Sequence, residues 1–96
     1  MADDVRDNRN LHRFEMQVDG HVAYIRYRRE PGTVTLIHTE VPAELGGRGI
    51  GKALVQGTLD LIRTAGEKVV PICPFVVAWM KRHPEYDDLR AGTGQH

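Results

Sequence analysis

Cysteine is almost absent from this sequence, and its single copy, Cys73, cannot form an internal disulfide. This excludes the disulfide framework that stabilises many small secreted domains. The sequence also contains no apolar run long enough to span a bilayer and no signal-peptide pattern. A reducing cytoplasm is therefore the expected location, and no membrane partner is expected.

An excess of charge of either sign is also missing, since 13 Lys and Arg residues balance 13 Asp and Glu residues. Such a chain has no net field that would hold a nucleic acid nonspecifically, so no nucleic-acid partner is expected. The five histidines and the cysteine are too far apart in sequence to form a local zinc motif, and no metal site is expected. A chain of 96 residues provides one domain with a modest core.

The first half of the domain has the pattern of an antiparallel β-meander. "HRFEMQV" alternates apolar and polar residues, Asp19-Gly20 is a strong hairpin signal, and "HVAYIRY" continues as a second strand. A turn at Pro31-Gly32 leads into "TVTLIHTEV", a third strand rich in β-branched residues. Residues 1–10 and 87–96 are polar and without periodicity, so both are expected to fray around a single domain at 11–86.

The second half reads as helix, strand and short helix. Apolar residues recur at helical spacing over residues 49–65, although Gly57 within this helix costs about 1 kcal/mol unless a neighbour packs closely there. "KVVPIC" follows as a strand parallel to the third one, and Pro71 predicts that it is an edge strand or parts from its neighbour there. "PFVVAWMKR" then forms the last helix. The fold class is α+β.

The glycine-rich segment "ELGGRGIGKALV" joins the third strand to the first helix. Gly46, Gly51 and Lys52 have the spacing of a phosphate-binding Walker A loop, but Ala53 stands where that motif needs Ser or Thr to hold magnesium. The dinucleotide fingerprint fails as well, because it needs a small residue at Lys52. A glycine-dense turn at a helix N-terminus still predicts an anion site made of backbone amides.

The blocks "HTEVPAELGGRGIGKALV" and "VVPICPFVVAWMKRHPEY" resemble the small, single-domain members of the GNAT N-acetyltransferase superfamily. The resemblance covers roughly residues 11–86 and implies a GNAT-like fold that uses acetyl-CoA. Gly49 and Gly51 match the last two fixed positions of the signature (Arg/Gln)-x-x-Gly-x-(Gly/Ala), whereas Gly46 replaces its Arg or Gln. The frequent tyrosine of the last helix, a proton donor to the leaving thiolate, has no clear counterpart: Trp79 or Met80 stands there, and Tyr86 lies further on.

The resemblance implies a set of residues for the acetyl-CoA site. Loop amides would hold the pyrophosphate without a metal, Arg48 and Lys52 would add charge, and the parted strands would pair with the pantetheine amides. The implied cofactor-binding residues are Val41, Gly46, Gly47, Arg48, Gly49, Ile50, Gly51, Lys52 and Ile72.

Three side chains are candidates for the chemistry of acetyl transfer. His38 and Glu40 lie in the third strand, where period-2 alternation puts them on one face with Val34 and Leu36, and either one could be the base. Cys73 precedes the last helix, whose N-terminus would lower the pKa of its thiol. It would form an acetyl-cysteine intermediate or orient the acetyl group, and its alternative role is that of a small buried apolar residue.

Two functions from different classes are compatible with these residues. The first is an acetyl-CoA-dependent N-acetyltransferase that acts on an amine, either a small molecule or a protein. The second is a CoA-binding regulatory or interaction module with weak or no transfer. The predicted oligomeric state is a monomer or a weak homodimer, because an exposed strand edge could pair with a second copy.

Overall fold

A computed structural model describes residues 4–92 of the chain and gives an α+β fold with one five-stranded sheet. Its strands are β1 (Arg6–Asn8), β2 (Arg13–Val18), β3 (His21–Glu30), β4 (Thr33–Glu40) and β5 (Lys68–Pro71). They lie in sequence order, with β1 to β4 antiparallel and β5 parallel to β4. The helices are α1 (Ile50–Thr64) and α2 (Pro74–Lys81), with short 3-10 helices at Ala43–Leu45 and Pro84–Leu89. The predicted meander, helix, parallel strand and short helix are confirmed.

Glycine conformations set both ends of α1. Gly49 takes a positive φ of 71° immediately before the helix, and Gly66 takes a φ of 75° just beyond it. The Glu67 N–H donates to the Ile62 carbonyl at 3.1 Å, which closes the C-terminus of α1 in the way predicted for a terminal glycine. Neither α-helix within residues 4–92 combines the length and the apolar character that crossing a membrane requires.

One face of the sheet forms the core with the helices. Cross-strand partners share a face, and the pairs Phe14 with Ile25 and Tyr27 with Leu36 are all buried. The buried side chains of α1 and α2 belong to the same apolar cluster, so the helices cover this face. The opposite face carries mainly polar and charged side chains. We call it the open face, and its members include Arg13, Tyr24, Arg26, Arg28, His38 and Glu40.

The N-terminal segment is part of the fold, so the expectation that residues 1–10 fray is wrong for Arg6–Asn8. This segment forms β1 and pairs with β2. Asp7 accepts hydrogen bonds from the Tyr27 hydroxyl and from Arg29, whose guanidinium also binds both carboxylate oxygens of Glu67 at 3.0 and 3.1 Å. A partly buried ionic cluster therefore joins β1 to β3 and to the start of β5. Residues 1–3 lie outside the described part of the chain.

The C-terminal segment also extends the domain beyond the predicted end at residue 86. Leu89 is buried in the core, and the Ala91 N–H donates to the Val69 carbonyl at 2.9 Å beside a bridge between Val69 and Arg90. Fraying from residue 87 is therefore a wrong prediction up to Ala91, because a single apolar residue, Leu89, anchors an otherwise polar stretch. Residues 93–96 are outside the described range.

Gly57 is explained by the same N-terminal segment. A Cβ atom at this position would lie 2.4 Å from a methyl group of Val5, much closer than two carbon atoms can approach. The close neighbour that the sequence required for a glycine inside α1 is therefore Val5, a residue from the stretch expected to fray.

We expect Gly57→Ala to destabilise the protein by about 1–3 kcal/mol, because the added methyl overpacks the contact with Val5. In an unconstrained helix the same change would stabilise by about 1 kcal/mol. Urea unfolding of the single variants and of the double variant Val5→Ala/Gly57→Ala tests this. The double variant should be more stable than Gly57→Ala alone, and a stabilising Gly57→Ala would contradict the contact.

Candidate functional site

The parallel pairing of β4 and β5 ends early. Leu36 and Pro71 are the last paired residues, and the Leu36 carbonyl accepts both the Ile72 N–H and the Cys73 N–H at 3.0 Å. β4 continues to Glu40 without a partner on this side, so the two strands part at residue 71, as the proline predicted. The parting leaves a strand edge exposed next to α1 and α2.

A β-bulge divides the functional residues of β4 between two faces. Leu36 pairs with Tyr27 and His38 pairs with Arg26, so Ile37 is an extra residue in β4. The extra residue shifts the alternation: Thr39, opposite Ile25, joins the core side.

The prediction that His38 and Glu40 share a face with Val34 and Leu36 is therefore wrong. Both side chains lie on the open face, where each is 53% exposed, and His38 Nε2 lies 2.9 Å from Glu40 Oε1. Period-2 counting failed here because one additional residue inverts every later position in the strand.

A cleft of about 430 Å³ lies where β4 parts from β5, beside the N-terminus of α1. It combines the glycine loop with apolar side chains and with Thr39. Its lining residues are Thr39, Val41, Leu45, Gly46, Gly47, Gly49, Ile50, Gly51, Lys52 and Phe75. Seven of the nine residues implied for acetyl-CoA binding thus surround one cavity.

The other two implied residues do not line this cleft. Arg48 forms an ion pair with Asp19 in the turn between β2 and β3, at 2.7 Å. Ile72 is 55% exposed just beyond β5, although its backbone N–H marks the point where the strands part. Lys52 is therefore the one implied cation that reaches the cavity.

The first turn of α1 lies at the cleft with backbone amides that have no partner inside the helix. The first intrahelical hydrogen bond of α1 runs from the Ala53 N–H to the Gly49 carbonyl at 3.1 Å, so the amides of Ile50, Gly51 and Lys52 lie ahead of it. These groups form the positive end of the helix dipole and favour an anion. Gly46 contributes differently, since its N–H already donates to the Ala43 carbonyl at 3.0 Å.

Gly51 allows α2 to approach the start of α1. A Cβ atom at Gly51 would lie 2.9 Å from Cζ of Phe75, so the ring of Phe75 occupies the space that any other side chain would fill. Phe75 is 43% exposed and forms one wall of the cleft. The glycine at this position therefore shapes the cavity as well as exposing an amide.

Cys73 lies behind the cleft and is 4% exposed. Burial raises the pKa of its thiol, but hydrogen bonds from the Thr39 hydroxyl and from the amides of Val76 and Phe75 outweigh burial and lower the pKa below its ordinary value. The Thr39 Oγ1 to Cys73 Sγ distance is 3.2 Å. The start of α2 thus stabilises a thiolate, and Thr39 connects it to the cavity.

Sequence reasoning missed Thr39 and Leu45 as cleft residues. Thr39 faces the cavity only because of the bulge at Ile37. The residues around Ile37 carry no pattern that predicts a bulge. Leu45 is an apolar residue in a 3-10 turn, and its position depends on how the loop folds back.

Tyr86 and His83 are not placed at the cleft. The Tyr86 hydroxyl donates to Asp60 on α1 at 2.7 Å, and burial together with that hydrogen bond raises the Tyr86 pKa to about 12. His83 stacks on Trp79 with ring centroids 3.7 Å apart. Both residues support the packing of the C-terminal segment.

Across residues 4–92, the His, Cys, Asp and Glu side chains form no group of three or more arranged to hold a metal ion.

The sheet with its parted strands and glycine loop defines a GNAT-like α+β domain. A family model described as "GCN5-related N-acetyl-transferase" matches residues 13–89, and the chain belongs to this family.

Two known proteins support this assignment. The solution structure of a GCN5-like protein from Staphylococcus aureus superposes with a TM-score of 0.70 at 26% identity, covering 99% of this chain and 94% of that one. Protein NATD1 of Xenopus tropicalis is 36% identical over 52 residues, which are 54% of this chain. The match covers 48% of NATD1, so the chain spans about half the length of that curated relative.

We expect Tyr86→Phe to lower stability by about 1 kcal/mol at pH 8, because it removes a hydrogen bond to a carboxylate. The raised pKa of Tyr86 means that its stabilisation is fully present below pH 10.0, the ordinary value, and is lost as the pH approaches about 12. Urea unfolding of the original protein and of Tyr86→Phe at several pH values should show that the difference in their unfolding free energies shrinks above pH 10. A constant difference across this range would contradict the assigned role.

Proposed function

We propose that the protein is an acetyl-CoA-dependent N-acetyltransferase that moves an acetyl group to an amine. The observation that carries the proposal is the cleft at the parting of β4 and β5, with the free amides of α1 at one end and the buried, acidified thiol of Cys73 behind the other. Family membership supports the same reaction class.

The lining of the cleft fits the chemistry of CoA. Its pyrophosphate is an anion that needs no metal here, because no bond to phosphorus is broken, and the amides of Ile50, Gly51 and Lys52 are available to hold it. Beyond Leu36, β4 has no β5 partner and can pair with the amide groups of a pantetheine arm as it would with a strand. Val41 and Leu45 provide apolar contact along the same path. The thioester of acetyl-CoA supplies the activated acetyl group.

The two faces of β4 suggest separate approaches for donor and acceptor. Thr39 and Val41 line the cleft for the donor, whereas His38 and Glu40 lie on the open face. In the proposed reaction the acceptor amine comes from the open face and loses its proton to the His38–Glu40 pair, in which Glu40 orients and stabilises the imidazole.

Cys73 is proposed as a residue that orients the acetyl group through Thr39. Its low exposure favours this role over that of a nucleophile, because a nucleophile must reach the carbonyl carbon. Thr39 connects the cleft with the buried thiol, since it lines the cleft and forms a hydrogen bond with the Cys73 sulfur.

The second candidate function is a CoA-binding module with little or no transfer. The observation that favours it is the engagement of Tyr86 with Asp60, which leaves no tyrosine among the residues lining the cleft within the described chain. A leaving thiolate would then lack the usual phenolic proton donor. Acetyl-CoA binding without release of free CoA in the presence of amines would support this function.

We expect acetyl-CoA to bind and ATP with magnesium not to bind, as measured by calorimetry. Gly49→Ala should weaken acetyl-CoA binding by about tenfold, since it displaces the amides at the start of α1. Gly66→Ala is the matched control, because Gly66 has a similar positive φ at the far end of α1 and both positions leave open space for a Cβ atom. Both variants should lose about 1 kcal/mol of stability.

These measurements separate the candidate functions. Binding of ATP without binding of acetyl-CoA would refute the proposal. Equal loss of acetyl-CoA affinity in Gly49→Ala and Gly66→Ala would show that the effect is one of stability and would remove the glycine loop from the site. Release of free CoA with a mixture of amines would distinguish the transferase from the binding module.

We expect Thr39→Val to raise the Cys73 pKa, because it removes the side-chain hydrogen bond that helps to lower it. The thiolate absorbance near 240 nm, followed against pH, should shift to higher pH, and the pH profile of acetyl transfer should shift with it. Thr64→Val, an exposed position on α1, is the control and should leave both profiles unchanged.

The mass of the protein after incubation with acetyl-CoA and no amine tests the role of Cys73. An orienting role predicts no acetylated Cys73 and a reduced rate in Cys73→Ala. A stable acetyl group on Cys73 that is then passed to added amine would instead establish the nucleophile. Full activity of Cys73→Ala with an unchanged pH profile would remove Cys73 from the chemistry.

A further inference from the structure

A second hollow, of about 400 Å³, lies at the bulge of β4 near the open face. Its lining residues are Leu11, His12, Arg26, Tyr27, Arg28, Arg29 and Ile37, of which Tyr27 and Arg29 are bonded to Asp7. No carboxylate is among its lining residues in the described part of the chain. Guanidinium groups in a concave, partly apolar setting bind carboxylates and phosphates better than isolated surface arginines do.

Arg26 and Arg28 differ from Arg13 and Arg29 because they have no acidic partner among residues 4–92. Arg29 is held by Asp7 and Glu67, and Arg13 is paired with Glu15. Within residues 4–92, no ion pair or side-chain hydrogen bond involves Arg26 or Arg28. The chain is neutral overall, so these two residues form a local excess of positive charge.

The cross-strand pairing of Arg26 is electrostatically unfavourable in the protein without a bound anion. Arg13 lies directly opposite Arg26 on β2, and like charges at paired positions repel each other. Arg13 is compensated by Glu15 and by the ring of Tyr24, which lies 4.4 Å from its guanidinium. Glu15 and Glu40 lie at positions diagonal to Arg26 on this face but are bonded to Arg13 and His38. Within residues 4–92 Arg26 therefore has no ion pair of its own, and a bound anion would provide one.

The hollow adjoins the pair that we assign to the acceptor amine. Arg26 is the cross-strand partner of His38 and lies on the same face, so their Cα atoms are about 5 Å apart. Arg28 follows about 7 Å further along β3 on that face. An amine at His38 and Glu40 therefore has two free guanidiniums within the reach of a short linker.

We propose that the acceptor amine carries an anionic group, a carboxylate or a phosphate, which Arg26 and Arg28 bind. This inference rests on the proposed function for the identity of the amine as acceptor. The anion site itself depends only on the two arginines and the hollow, so the site and the reaction can be tested separately.

The anion site is tested with inorganic phosphate and the free protein. Titration at constant ionic strength should give saturable shifts of the Arg26 and Arg28 Nε–H signals in NMR spectra. The double variant Arg26→Gln/Arg28→Gln should bind phosphate about tenfold more weakly. The double variant Lys81→Gln/Arg82→Gln, which removes the same two positive charges at exposed positions at the end of α2, should not. Linear, equal shifts at all three arginines would overturn the site.

The acceptor is tested by acetyl transfer to matched amines. The first pair is 6-aminohexanoate and its amide, and the second is a lysine peptide flanked by aspartates and the same peptide flanked by asparagines. A preference for 6-aminohexanoate over its amide identifies a small-molecule acceptor. A preference for the aspartate-flanked peptide over the asparagine-flanked one identifies an acidic protein segment. The preference should appear in KM and disappear in the double variant.

The outcomes keep the two proposals apart. Transfer to amines without any preference for the acidic member of either pair would overturn the anionic acceptor and leave the transferase intact. Saturable phosphate binding at Arg26 and Arg28 without transfer to any amine would refute the transferase while the anion site stands.

Discussion

The Leu36 carbonyl, which accepts both the Ile72 and the Cys73 amides, is the point on which the candidate site depends. Leu36 and Pro71 are the last pair of the parallel ladder. The Ile72 N–H is the donor to Leu36, so the nitrogen of Pro71 faces away from β4 at the free edge of β5, where a missing N–H costs no ladder bond. Ile37, the next residue of β4, is the bulge. The parallel ladder therefore ends at the same level on both strands. A bulge bends and twists its strand, so β4 turns away from β5 where β5 has stopped pairing. The end of the β4–β5 ladder at Leu36 and Pro71 therefore determines where the cleft opens and where Cys73 lies, at the start of α2.

The same bulge gives β4 its two functional faces. Without the extra residue, strict alternation would put His38 and Glu40 above the helices and Thr39 on the open face. With it, Thr39 meets the sulfur of Cys73, and the His38–Glu40 pair joins Arg26 on the other side of the sheet. A single strand thus contributes Thr39 to the cleft on one face of the sheet and the His38–Glu40 pair to the open face.

Most of the architecture could be predicted from the sequence because its signals are local. Asp19-Gly20 marked a hairpin, Gly66 a helix end and Pro71 an edge strand, and each acts through backbone geometry that a residue type dictates. The features that were missed depend on contacts distant in sequence. Val5 is ordered because Gly57 leaves space for it, and Leu89 because the core accepts it. The bulge at Ile37 belongs to the same class, since register is a property of two strands together.

The candidate site was predictable to a similar degree and for a similar reason. Glycines mark positions with special backbone conformations, so the sequence alone predicted the loop from Gly46 to Gly51. It could not predict which face of the sheet the His38 side chain occupies. Electrostatics follows the same division. The anion site proposed at the loop rests on backbone amides, whereas the one proposed on the open face depends on which carboxylates are already paired. Composition, with equal numbers of acidic and basic residues, indicates neither proposed site, because a neutral chain can have locally positive regions when its acidic residues are paired elsewhere.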